Sequence, residues 1–212
     1  MSEQLAIEKI TAEDIASGVG DAYRWMLFMD LQRTGIATPD AYRMAYLNKR
    51  NTNEALTSSA SSPDKADIFV ARGVSDGRVR ALAKVGLERY GDRYDFGPIV
   101  YRLARAAHKL ELVRRNTLQI FGYGADPDLS PEDEQLAFAD IVQAAYESAL
   151  DQGHSGVRRV SAFVDTQDKN LSRLVESINP KSLEAGSKTV SIALGGVAHD
   201  YRRLVVDFPA QR

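Results

Sequence analysis

No cysteine occurs in the 212-residue chain, which excludes disulfides, thiolate nucleophiles and cysteine-ligated zinc. Long apolar runs are missing too. Nowhere do about 18 uncharged apolar residues follow one another, so no membrane-spanning helix and no membrane partner is expected. An excess of charge of one sign is also absent: 27 Lys and Arg stand against 29 Asp and Glu, a formal net charge of -2. Such a balance supplies no global field for a polyanion, and nucleic acid is not expected as a partner. The first ten residues carry Glu3, Glu8 and Lys9, where a secretory leader needs a basic stretch and then an apolar one; a soluble, cytoplasmic protein is expected. Histidine is scarce. His108, His154 and His199 show no i, i+4 spacing and no zincin-like pattern, so no metal site is expected. His154 follows Gly153, where a cation suits a helix C-terminus.

What is present is ordinary globular composition, 44% hydrophobic and 26% charged, enough for a single domain over residues 1–212. Leu5 to Ile10 reads as a first strand. Thr11-Ala-Glu-Asp is a capping-box-like start to a helical stretch reaching about Gln32, interrupted near Gly18 and Gly20. Its segment 23–31 is apolar nearly all round, so it is expected to be buried or to face a partner. Thr38-Pro39-Asp40 opens a helix to about Leu56, and Thr57 to Pro63 reads as a polar loop. Asp67 to Leu87 is the clearest hairpin, turning through Asp76-Gly77. Tyr90 to Gly97 reads as a loop and residues 98–115 as a basic amphipathic helix, with either a solvated face or a site for phosphate or acidic protein. Arg114 and Arg115 are the best polyanion contacts there. Thr117 to Ala125 is a strand, Ser130-Pro131 opens a helix to about Gln152, and Val157 to Asp165 is a strand. Asp168 to Ile178 is a short helix, and Thr189–Leu194 and Tyr201–Phe208 are the last strands. The order implies an α/β (α+β) fold: a mixed central sheet of about six to seven strands with helices on both faces.

This order resembles the GNAT superfamily of acyl-CoA-dependent N-acyltransferases. Asp67 to Leu87 looks like that family's second and third strands, and Leu118 to Asp128 like its fourth, which commonly ends in a Val-Asp-Pro-like sequence. The helix 131–152 with the strand 157–165 is similar to its cofactor-binding helix and fifth strand. Asp165 to Ile178 resembles its strand-Asn-helix segment, and Asp200-Tyr201-Arg202-Arg203 the start of its last strand. The resemblance spans roughly residues 1–208.

For active members the resemblance implies a Gln/Arg-x-x-Gly-x-Gly/Ala loop after the fourth strand, whose amides and following helix N-terminus hold the coenzyme A diphosphate. Here Ser130, Pro131, Glu132, Asp133, Glu134 and Gln135 fall on that pattern. Both glycines are missing, proline removes an amide donor, and three carboxylates occupy the turn. Acids in a first helical turn also complement the helix dipole without any ligand. The slot of the tyrosine that can protonate the leaving thiolate, counted from Asn170, falls on Val175. Gly122-x-Gly124 lacks the third glycine of a dinucleotide fingerprint. It reads either as part of an acyl groove or as a bulge or splayed strand end.

The expectation is therefore a GNAT-fold protein with a degenerate acyl-CoA loop, acting as a non-catalytic binding or structural module, with no cofactor and with a protein partner or a second copy of itself. The alternative is an active N-acetyltransferase that uses acetyl-CoA through an atypical loop, its amine substrate attacking the thioester directly. On that alternative Tyr123 and Asp126 are the catalytic candidates. Phe121, Gly122, Tyr123, Gly124, Ser130, Gln135 and Asn170 are the cofactor-binding ones.

Overall fold

The computed structural model describes residues 4–61, 66–87, 117–194 and 197–208. The expected loop 90–97 and basic helix 98–115, with Arg114 and Arg115, lie outside them.

Among the described residues, seven strands form one sheet in the order β1-β2-β3-β4-β5-β7-β6. They are β1 Leu5–Lys9, β2 Asp67–Gly73, β3 Val79–Leu87, β4 Thr117–Ala125, β5 Arg159–Asp165, β6 Glu184–Leu194 and β7 Val197–Asp207. Every neighbouring pair is antiparallel except β4 and β5, so the expected mixed sheet is present. Among the described residues the α-helices are α1 Ala12–Asp14, α2 Gly20–Arg33, α3 Thr38–Tyr42, α4 Asn53–Ala60, α5 Pro131–Asp151 and α6 Lys169–Ile178.

Strand alternation divides the core between the two faces. One face buries Leu118, Ile120, Val160, Ala162 and Val164 against α5 and α6, with Phe138, Ile141, Leu174 and Val175 as the helical counterparts. The small residues Ala137, Ala145 and Ala149 of α5 are buried there; without bulk on that stripe the helix lies close on the sheet. The opposite face packs Ile68, Val70 and Leu82 against Ile10, Ile15, Val19, Met26 and Leu56.

Local chemistry explains most of the boundaries. Thr11 and Asp14 form the capping box that starts α1. A π-helical turn, Ile15–Val19, then links it to α2, with Gly18 at φ 121°, a conformation that favours glycine. Two expectations need correction. The helix expected over Thr38 to Leu56 is broken: α3 and a π-helical turn end at Asn48, whose extended backbone and side-chain bond to Arg50 N start a separate 3-10 turn. An asparagine that bonds its own following amide competes with helix continuation. The polar loop expected from Thr57 begins too early, because Thr57–Ala60 is the last turn of α4. Leu56 anchors that helix in the core, which outweighs the serine-rich composition of its end.

Candidate functional site

β4 and β5 pair in parallel only over Thr117–Ile120 and Arg159–Ala162. β4 continues to Ala125 and β5 to Asp165, so the two strands part at their C-terminal ends, a place where α/β sheets commonly bind ligands. A bulge starts the separation. Lys84 pairs with Gly122 and Val85 with Ile120, which leaves Phe121 as the extra residue. Beyond it Gly124 faces α2, where an added Cβ would lie 2.7 Å from Met26 Cβ. A Cβ on Gly122 would stand 4.0 Å from Tyr23 Oη. Of the two open readings for these glycines, the structure carries the structural one furthest: Gly124 lets a helix lie on the splayed strand end. Tyr123 points to the other face, edge-on to Phe138 of α5.

The turn from β4 into α5 is held by its own side chains. Asp128 N donates to Asp126 Oδ1 at 3.0 Å, Leu129 N to Asp126 O at 3.0 Å, and Asp133 N to Ser130 Oγ at 3.1 Å. Ser130 is the N-cap of α5 and Pro131 its first residue, the standard way to begin a helix from this sequence. Asp126, a catalytic candidate, receives Arg80 Nη1 at 3.2 Å on its second oxygen. Gln135 is exposed on the surface of α5.

Glu134 turns inward instead. It is buried, accepts from Asn170 Nδ2 at 2.8 Å, and lies 3.8 Å from Arg173. This link ties the first turn of α5 to the first turn of α6. Asn170 is therefore engaged with protein, and the cap of α6 is Asp168, whose Oδ1 accepts from Asn170 N and Leu171 N at 3.0 Å each. Val175, in the slot of the thiolate-protonating tyrosine, is fully buried in the core.

A polar cluster surrounds the parted strands. Asp30, in the last turn of α2, pairs with Arg33. Burial first, and then the Asp168 carboxylate, raises its pKa from 3.8 to about 6, with Glu134 adding to the rise. Tyr123 Oη is buried and has no hydrogen-bond partner among the described residues. Burial and the Glu134 carboxylate hold this phenol well above its ordinary range. Tyr201 of β7 is pushed up to about 12 by burial and by Asp165, Asp30 and Asp168. Asp165 ends β5, accepts Gln167 N at 2.9 Å and lies 2.6 Å from His199 Nδ1. Both partners are buried, and His199 Nε2 has no hydrogen-bond partner among the described residues.

Of the residues singled out in the sequence, the fold brings Tyr123, Glu134 and Asn170 together and leaves Asp126, Ser130 and Gln135 along the turn. Phe121, Gly122 and Gly124 form the bulged strand end under α2. Asp30 carried no motif beyond being a carboxylate inside an apolar run, and His199 only its lack of metal-ligand spacing; Asp165, Asp168 and Tyr201 lie in the resembling segments 165–178 and 200–203, which gave them no role.

The parted parallel strands, the bulged β4 and the helices on both faces are the GNAT fold. Drosophila melanogaster polyamine N-acetyltransferase, described as catalysing the formation of N-acetylagmatine, matches with a TM-score of 0.62 at 14% identity over 97% of this chain and 100% of that one. A probable acetyltransferase from Staphylococcus epidermidis matches at 0.61 and 10% identity, also over 97% and 100%. A GNAT-family acetyltransferase from Streptococcus pneumoniae gives 0.58 and 13% over 97% and 100%. No protein-family model and no curated protein matches the sequence.

Proposed function

We propose that this GNAT-fold chain does not hold acyl-CoA by the diphosphate cradle and serves as a binding or structural module. The observation that carries this reading is the β4–α5 turn, where the amides of Asp128 and Asp133 are engaged by Asp126 and Ser130 and the first helical turn carries Glu132, Asp133 and Glu134. A diphosphate needs open amides and an unopposed helix N-terminus. Two like unit charges about 4 Å apart repel by about 4 kcal/mol near a protein surface, so each carboxylate in the turn opposes a phosphate. The residues present do not suit coenzyme A, and no catalytic step is derived through it. Val175 in the core supports the same reading. The neighbours in fold are N-acetyltransferases, which keeps acetyl-CoA the right ligand to test. Isothermal titration with acetyl-CoA is expected to show no binding in the micromolar range; saturation there would overturn the proposal.

A role as a subunit of an assembly is favoured by one further feature. Trp25, Tyr42 and Leu47 are 47%, 50% and 65% exposed, and tilted, edge-on and stacked ring contacts in turn join Trp25, Phe28, Tyr46 and Tyr42 into a stripe. Aromatic residues on such a face are the usual anchors of protein contacts.

A further inference from the structure

We propose that the outer edge of β6 pairs antiparallel with the β6 edge of a second copy of the chain, so that two sheets join across a two-fold axis. This inference goes beyond the reading of the cofactor turn and does not depend on it.

The two edges of the sheet are guarded differently. An edge strand presents unpaired backbone N–H and C=O groups, a template for another strand, and natural edges are blunted by shortness, charge, proline or bulges. β1, at one edge, has five residues, and its charged side chains reach to neighbours within the sheet: Lys9 to Asp67 at 2.9 Å and Glu8 to Arg72 at 3.0 Å. β6, at the other edge, has 11 residues and no strand beyond it among the described residues. The features that blunt β6 lie in its first half. Glu184, Gly186 and Lys188 are there, and so is the shift of register against β7, between Ala185 and Thr189. From Thr189 to Leu194 the register is unbroken, with Thr189 opposite Arg202 and Leu194 opposite Val197. That run, Thr-Val-Ser-Ile-Ala-Leu, contains no charge, proline or glycine, and its β-branched residues suit a strand. Thr189, Ser191 and Ala193, on one face of the run, are exposed, so their side chains leave that face open to an approaching strand.

Symmetry and charge favour a second copy as the occupant. A two-fold pairing sets the run against itself, and like charges directly opposite one another are destabilising. The run has none. A pairing centred within it also places Lys188 opposite the far end of the partner run rather than opposite a second Lys188. An uncharged edge offers no charge pattern by which a foreign strand would be selected, whereas a second copy matches it in length and sequence. Backbone geometry restricts the register further. Both polar groups of one residue point to the same side of a strand and those of the next residue to the other side. Only residues an even number apart can therefore face each other across the new pairing, and the axis passes beside one residue, which faces its own copy.

The absence of cysteine makes disulfide trapping a direct test. Directly opposite residues lie about 4.5–5.5 Å apart between Cα atoms, within the span of about 4.4–6.8 Å that a disulfide bridges. The single variants Thr189→Cys, Val190→Cys, Ser191→Cys, Ile192→Cys, Ala193→Cys and Leu194→Cys are oxidised mildly in the full chain. One position is expected to cross-link most, about tenfold above Glu8→Cys on the exposed edge of β1. Sedimentation of the wild type should show a dimer by about 200 μM, a modest affinity. The Thr189→Lys, Ala193→Lys double variant, which charges two exposed positions of the edge, should associate at least about tenfold more weakly. If that variant fails to fold, the cysteine series and the wild-type mass decide. A monomeric wild type throughout overturns the inference, as does cross-linking at no position above Glu8→Cys, or unchanged association in the lysine variant. Trp25→Ser, Tyr42→Ser should leave this dimer intact; loss of the dimer there assigns association to the aromatic stripe and overturns the inference too. Titration with acetyl-CoA reports on the cofactor turn separately, whatever the state of association.

Discussion

Asp30 illustrates how far a single side chain departs from its sequence context. It sits in an apolar run, yet folding partly buries it near the Asp168 and Glu134 carboxylates. Its folded-state pKa of about 6 lies above the ordinary 3.8, so the native state holds the proton more tightly than the unfolded chain does. Its favourable contribution is therefore fully present below about pH 4 and is lost as the pH rises through about 6. At pH 7.5 the ionised, partly buried carboxylate costs on the order of 2 kcal/mol. Asp30→Asn is expected to raise the melting temperature by about 2–8 °C at pH 7.5 and by about a third as much at pH 4.5. Loss of the pairing with Arg33 subtracts little, because that guanidinium is half exposed. Thermal melts at the two pH values check this, and an equal gain at both would refute the assignment of charge burial as the cause.

Among elements, β4 is the one most clearly legible in the sequence, from Thr117 to Ala125, but its use was not. The Gly122-x-Gly124 pair left an acyl groove and a structural bulge both open. The close approach of Met26 to Gly124 could be decided only once α2 was placed across the sheet, because no pattern in the strand encodes its neighbour on the other face. Gly124→Ala is expected to lower stability by about 1–3 kcal/mol, the usual cost of forcing a methyl group into a closed contact, read from urea denaturation midpoints. Gly18→Ala tests a different cause, positive φ rather than contact, since nothing lies within 4 Å of its absent Cβ. The helical segment between Thr38 and Ala60 was read less well. Serine and threonine near position 57 suggested a loop, and burial of Leu56 outweighed that local preference.

At the scale of the whole molecule, the exposed aromatic stripe on α2, α3 and the turn after α3 is one surface proposed for contact. If the stripe joins copies of the chain, light scattering should give a concentration-dependent mass, and the Trp25→Ser, Tyr42→Ser double variant should be monomeric. Both side chains are half exposed, so the variant's melting temperature should stay within a few degrees of the wild type's, as expected of surface changes. A monomeric wild type at every concentration would remove self-association.

The order of strands and helices, the hairpin at Gly77, the N-cap at Ser130 and the mixed sheet were determined by the sequence itself, because periodicity, turn residues and caps act between positions only a few residues apart. The lack of glycine and the presence of Pro131 in the β4–α5 turn were equally visible, since residue types are read directly. What only the tertiary structure decided is which distant side chains share one space: Asp30 with Glu134 and Asp168, Asp165 with His199, and Met26 over Gly124. Such meetings depend on strand register and on where helices cross the sheet, and the resulting burial and repulsion belong to the assembled fold rather than to any stretch of the chain.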